Sequence, residues 1–489
     1  MGDVAVYKVE KCLYPKWEDG FFRPSIRYPE YLWTDEDIAS KGNEVYDAVR
    51  ECFHLLGFDD EHWNTPSWNP LGGIIRPGDN ILIKPNLVME ANGIPENGTE
   101  CLYSQPSVVA AVIDYVILAG GPNCRIVVGD APMQTCKWDI LIQQSHYADL
   151  IEWYQKRNIN ISLVDFRELS SERVNGVVVQ HEKETGKGRI INLGAESEFA
   201  GLDQKAYDSL RITSYDPDEL KKHHNSAVQE YDLSQYLLDA DVVINMPKPK
   251  THRKAGVTIA LKNMIGVNVR KEYLPHHTLA SVEEGGDEYL KKDSFRKTQA
   301  ALWDRMNHAS AHGRYFQSWF FHQLSRVFSL LLRMKKTAYA EGSWYGNHTI
   351  SRTIADINKL VLFADKNGVL RNTPQRKTLV VADMIISGEK DGPLCPSPKK
   401  VGLIAAGTDF LPFDKAIAGL MGFDVSRIPA IVNAENAHGK LSLAEADVSS
   451  AFRSNIREID GLSPEQACRT YHLDYEAASG WKGHIERAG

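Results

Sequence analysis

DVVINMPKPKTHRKAGVTIALKNMIGVNVR, residues 241 to 270, begins as an apolar strand and turns within a few residues into a set of cationic and hydrogen-bonding groups. Val242, Val243 and Ile244 read as a short buried strand, because a continuous β-branched run suits a sheet covered on both faces. Pro247 and Pro249 then stop regular pairing. Lys248, Lys250, Thr251 and His252 therefore stand at the strand's carboxyl end, where open α/β sheets bind their ligands. A second run, Ala255 to Ile265, is apolar apart from Lys262 and Asn263. Five lysines or arginines and no acid lie between Met246 and Ile265, which implies an anion nearby. A solvated basic loop is the plain alternative. Lys262 resists that alternative, because a lysine in an apolar run needs a partner.

Around this stretch the chain has 489 residues, 43% hydrophobic and 25% charged, with a formal net charge of -8. That is ample for a packed core and for two or three lobes. The acidic balance argues against a general nucleic-acid binder, which relies on a basic surface, and leaves room for a local anion pocket. The seven cysteines, Cys12, Cys52, Cys101, Cys124, Cys136, Cys395 and Cys468, show no C-x-x-C spacing. Neither ferredoxin nor zinc-ribbon ligation is expected from them. Their irregular spacing and the absence of an apolar signal core near Met1 predict reduced thiols in a cytoplasmic protein.

The rest of the chain predicts an α/β fold: a mostly parallel buried sheet with helices on both faces, an N-terminal elaboration and inserted hairpin and helical segments. Residues 1–78 read as the elaboration, with a helix over Asp35 to Leu56. Residues 79–272 read as the first half of the core, with strands NILIKPN, RIVVGD and Ile161 to Asp165, helices over 107–119 and 138–155, and a polar insertion over 168–231 that looks like a hairpin. Residues 273–340 form a charged excursion with an amphipathic helix, 341–440 the second half of the core, and 441–489 a C-terminal helical tail. Strand ends recur as polar groups: Lys84 and Asn86, Asp130, Lys248 to His252, Asp383 and Asp409. A parallel sheet would bring several of them to one edge.

Each further cluster has a plain structural alternative. Lys84 and Asn86 flank Pro85, as in a surface turn, or aim a cation and an amide at the anion of Lys248, Lys250 and Lys262. Arg352 and Asp356 are spaced for a helix-surface ion pair; Arg352 and Asn358 are otherwise binding candidates, and Asn347 and Thr349 at the helix mouth offer polar groups and backbone N–H donors. Asp383, Glu389 and Asp414 are candidates for a divalent metal, although Asp414 also suits a helix start. There is no P-loop, dinucleotide or G-x-S-x-G motif. His252 and the pair His276 and His277 are the imidazoles nearest the basic run. Helix Tyr315 to Met334 is too polar to span a bilayer comfortably. It reads as a domain or subunit interface, with a homodimer through 315–334 or membrane-surface attachment through Arg333, Lys335 and Lys336 as its roles.

Taken together, ILIKPNLV at 81–88, INMPKPKTH at 244–252, TIALKNMIG at 258–266, GEKDGP at 388–393 and VGLIAAGTDFLPFDKAIAGLMGFD at 401–424 resemble the domain-of-unknown-function 362 family over about Asp79 to Gly439. The GSWYGN block with the following RT and DIN is similar to the family's ferredoxin-free branch, which implies a setting in bacterial surface-polysaccharide biosynthesis. Many members carry iron–sulfur clusters; this chain lacks such ligands, so no iron–sulfur cluster is expected. The family is also distantly similar to nickel-pincer lactate racemases, and Lys248, Lys250, His252 and Lys262 match its polar blocks.

These readings predict an enzyme that binds an anionic small molecule, carboxylate or phosphate, through Lys84, Asn86, Lys248, Lys250, Thr251 and Asn263, with Arg352 and Asn358 as outer candidates. His252 and Lys262 would perform acid–base chemistry such as epimerisation or racemisation. Group transfer on a phosphorylated or sugar substrate, and a non-catalytic binding or assembly role, are the alternatives.

Overall fold

The computed structural model describes residues 2–34, 37–175, 177–183, 185–334, 339, 341–444 and 450–487, and for 333–334 the backbone alone. A ten-stranded sheet runs through it. Five strands are parallel, in the order Lys377–Asp391, Val242–Met246, Asn80–Pro85, Arg125–Asp130 and Ile161–Asp165. Their residues alternate between two cores: Ile81, Ile83, Val242 and Ile244 face one, Leu82 and Val243 the other. This explains the unbroken apolar runs in the sequence. Helices Glu44–Leu55, Pro106–Gly120 and Tyr147–Gln155 cover the first face; Thr349–Phe363, Phe410–Leu420 and Pro429–Glu435 cover the second.

The sheet continues antiparallel. Strand Lys377–Asp391 turns through the GEKDGP segment into Cys395–Gly407, and Val4–Lys8 pairs antiparallel with that strand while Phe452–Ser454 pairs parallel with Val4–Lys8. The chain's two terminal segments, read from sequence as an elaboration and a helical tail, thus each supply a strand. Five- and three-residue strands carry too little pattern to be seen without their partners. The tail also packs inward: Trp481 is fully buried, and its indole N–H donates to the Arg253 carbonyl at 2.8 Å.

Other departures are local. The first helix begins at Glu44, where the Asn43 side chain accepts from the Tyr46 N–H; Asp35 and Glu36 lie outside the described residues. The expected helix over 138–155 is two, Trp138–Gln144 and Tyr147–Gln155, separated by His146 at φ 64°. Residues 169–182 form the expected hairpin, while Gly188–Asn192 pairs instead with Glu230–Ser234. The charged excursion contains two packed helices, Ser294–Ala311 and Tyr315–Met334.

Candidate functional site

Parallel pairing places the carboxyl ends of Asn80–Pro85, Arg125–Asp130 and Val242–Met246 at one edge. Lys84, Asn86, Asp130 and the segment after Met246 meet there. Asp409 does not join them, because it follows the antiparallel strand Cys395–Gly407 and lines a larger cavity, about 350 Å³, with Lys377 and Thr378 from the start of strand Lys377–Asp391.

At the shared edge is a cavity of about 110 Å³, lined among others by Lys84, Asn86, Lys250, His252, Lys262 and Asn263. The short hairpin Lys250–His252 and Gly256–Thr258 and the turn of helix Ala260–Asn263 deliver the last four. Asn263 ties the floor together: its Oδ1 accepts from Lys84 Nζ at 3.1 Å and Asn86 Nδ2 at 2.9 Å, and its amide donates to Asn245 Oδ1 at 2.8 Å. Lys250 Nζ donates to Asn86 Oδ1 at 2.6 Å and to the Leu102 carbonyl at 2.5 Å. Both acceptors are neutral, and burial lowers the Lys250 pKa to about 7.

The cavity's carboxylate is Asp130, 2.9 Å from Lys84 and held by the Leu87 N–H at 2.7 Å. Gly266 makes this pairing fit, since a Cβ there would stand 1.9 Å from Asp130 Oδ1 and 2.8 Å from Lys84 Nζ. Two further lysines are not neutralised. Among the described residues no hydrogen bond or ion pair engages the ammonium of Lys262 or Lys271. Burial, with the repulsion of Lys84, lowers Lys262 to about 8, and burial lowers Lys271 to about 7. Thr258 also lines the cavity with its buried hydroxyl unpartnered.

Two imidazoles complete the lining with opposite polarity. His252 Nδ1 accepts from the N–H groups of Lys254 and Ala255, both at 3.0 Å, so its ring proton sits on Nε2. His276 Nδ1 lies 2.6 Å from the Leu274 carbonyl, which accepts a hydrogen bond from Nδ1–H and leaves the lone pair on Nε2. Burial and neighbouring cations push both pKa values well below 6.5. One neutral ring thus donates and the other accepts.

The remaining sequence candidates lie elsewhere. Lys248 is committed to Asp383 at 2.9 Å and Tyr14 Oη at 2.5 Å, and Tyr14 donates to Asp383 at 2.6 Å. Thr251 donates to the Lys390 carbonyl at 2.7 Å. Arg352 lies 6.0 Å from the Phe199 ring centroid, and Asp356 bonds Tyr231 and the Glu198 N–H rather than Arg352. Asn358 lines the larger cavity. Asn347 bonds the His276 and Gly342 carbonyls, and Thr349 bonds Asp287. The expected metal set is dispersed: Asp383 pairs with Lys248, Glu389 with Lys399 at 3.1 Å, and Asp414 caps Ala260–Asn263 by accepting from the Ala260 N–H at 2.7 Å. Lys271 and Thr258 were missed in the sequence. Lys271 follows a loop that leaves the sheet, and only tertiary folding returns it to the edge.

Residues 186–419 match the DUF362 family, described as a domain of unknown function. The DUF362 stretch supplies Lys250, His252, Thr258, Lys262, Asn263, Lys271 and His276; Lys84, Asn86 and Asp130 come from before it. A thylakoid-associated protein of Synechocystis is 28% identical over 200 residues, 40% of this chain and 42% of that protein. The chain thus matches less than half the length of this relative. No solved structure matches.

Proposed function

We propose that the lysine-lined cavity binds the anionic group of a small carboxylate or phosphate and moves a proton on it. The carrying observation is that Lys262 and Lys271 line a small cavity with no hydrogen-bond or ion-pair partner among the described residues. Such groups are costly to bury uncharged-for by a partner, and an anion would satisfy them. Drug-sized ligands fill about 300–1,000 Å³, so a cavity of about 110 Å³ takes a short hydroxy acid, or the head group of a larger phosphorylated or sugar substrate. His276 Nε2 is the base and His252 Nε2–H the donor; Lys262, half neutral near pH 8, is a second base. Proton exchange beside a carboxylate, as in epimerisation, uses these groups directly. Group transfer on a phosphorylated sugar is the alternative chemistry at the same site.

The pH dependence follows from the lysines. Their folded pKa values, about 7 to 8, lie below the ordinary value near 10.4. The unfolded chain therefore binds more protons between them, and ligand-free stability rises from about pH 7 toward pH 10. An anion requires the charged forms, so phosphate or lactate affinity should be strongest below pH 7 and weaken through pH 7–9. Calorimetric titration at pH 6.5 and 9 checks this; affinity that is flat or rises with pH contradicts the reading.

A second reading concerns location and rests on helix Tyr315–Met334. Phe316 is 78% exposed, Phe320 and Val327 each 53% and Leu330 61%, while the segment contains no Asp or Glu and its two charges, Arg326 and Arg333, are basic, as is Arg314 just before it. We propose that this face lies on an anionic membrane surface. The thylakoid-associated relative supports it. Among the described residues no helix is long and apolar enough to cross a membrane; Lys335 and Lys336 lie outside them. Sedimentation with phosphatidylglycerol vesicles should be strong, with phosphatidylcholine weak, and lost in a Phe316→Glu, Phe320→Glu, Val327→Glu variant. A concentration-dependent dimer abolished by that variant, without vesicle binding, would assign the face to a second copy instead.

A further inference from the structure

Away from the lysine cavity, His308, His312 and Asp216 bring their ligand atoms within 4.8 Å of one another. The two histidines are four residues apart at the end of helix Ser294–Ala311, so they share one face. Their rings lie together, with centroids 4.3 Å apart. Asp216 comes from a different part of the chain, as the N-cap of helix Pro217–His223. Its two oxygens stand 3.3 Å from His308 Nδ1 and 3.6 Å from His312 Nδ1. A second carboxylate, Asp218, is also 3.3 Å from His308 Nδ1. All four residues line one open cavity of about 360 Å³.

These separations have a metric meaning. Zinc bonds imidazole nitrogen and carboxylate oxygen at about 2.0–2.2 Å, so neighbouring ligands of a tetrahedral ion stand about 3.3–3.6 Å apart. The nitrogen-to-oxygen distances around Asp216 already have that length. We propose that His308, His312 and Asp216, with Asp218 or water as the fourth ligand, form a site for a borderline divalent transition ion, with zinc as its probe. Two imidazoles select such an ion over magnesium or calcium, which take oxygen ligands.

The site would act as a clamp. It joins the helix pair 294–334 to the insertion before the basic run that follows Met246, across 92 residues of chain. The same two segments are already linked by Arg211 and Asp304 at 3.0 Å. A metal tie between distant positions restricts the unfolded chain and stabilises the fold. Binding also has a cost: His312 Nδ1 lies 2.9 Å from the His308 carbonyl, and that contact must be given up when the nitrogen turns to the ion.

Untagged full-length protein, stripped with chelator, provides the test. Zinc titration against a competing indicator should give one tight site per chain, and zinc should raise the melting temperature. His308→Ala with His312→Ala, and separately His312→Gln at the exposed end, should weaken zinc by at least the roughly 10–100-fold typical when merely a ligand's supporting hydrogen bond is lost. The variants' zinc-free circular-dichroism spectra should match the parent's and their melting should stay cooperative, which shows that they fold. Absence of tight zinc binding to the parent protein overturns the proposal. So does zinc binding that both variants retain, or variants that shift acid stability equally with and without zinc, which would make the cluster an ion pair only.

Discussion

A Lys262→Met, Lys271→Met variant should lose phosphate and short-carboxylate binding by about 100-fold or more while gaining ligand-free stability. Charge-assisted hydrogen bonds contribute roughly 1.5–3 kcal/mol each, so two of them account for on the order of 100-fold or greater in affinity. The gain in stability follows from the same geometry. Among the described residues neither ammonium has a hydrogen-bond or ion-pair partner, and both side chains are half-buried, so replacing each poorly compensated charge by an apolar chain removes part of its desolvation cost. Calorimetric titration with phosphate and lactate, beside thermal melts without ligand, measures both. Undiminished binding would refute the anion site. A large fall in melting temperature would make the lysines structural.

The largest stability loss is expected at Asp383. Its carboxylate takes the Lys248 ammonium at 2.9 Å, the Tyr14 hydroxyl at 2.6 Å and the Gln105 N–H at 2.8 Å, and Asp383 and Lys248 are both fully buried. Asp383→Ala leaves an ammonium without its counter-charge, a change that costs about 3–5 kcal/mol. Denaturant unfolding should show it. Adding Lys248→Met should recover much of the loss, because the stranded charge goes with it. A double variant no more stable than Asp383→Ala would mean that the pair is not coupled as its geometry implies. This places Lys248, from sequence a ligand for the anion, among the groups that hold the edge of the sheet in shape.

The contrast between Lys248 and Lys262 shows what was legible. The sequence marks Lys248 by its place at the carboxyl end of a buried strand and Lys262 by the apolar run it interrupts. Their fates diverge because Tyr14 and Asp383, 234 and 135 residues away, meet one of them and nothing comparable meets the other. Asp383, Glu389 and Asp414 show the converse: the sequence offers them together as candidates for a divalent metal, yet each finds a separate protein partner.

By itself the sequence determined the α/β class, the buried strands and the basic edge after Met246, because unbroken β-branched runs and prolines act through local geometry and side-chain period. It also named six of the cavity's residues, Lys84, Asn86, Lys250, His252, Lys262 and Asn263. Only the tertiary structure decided which lysines are neutralised. It brought in Asp130 as the partner of Lys84, returned Lys271 and His276 to the same cavity, fixed the tautomers of two histidines and drew both terminal segments into the sheet. Those decisions depend on contacts between residues far apart in the chain, and a lysine's chemistry is set by the charge that reaches it rather than by its neighbours in sequence.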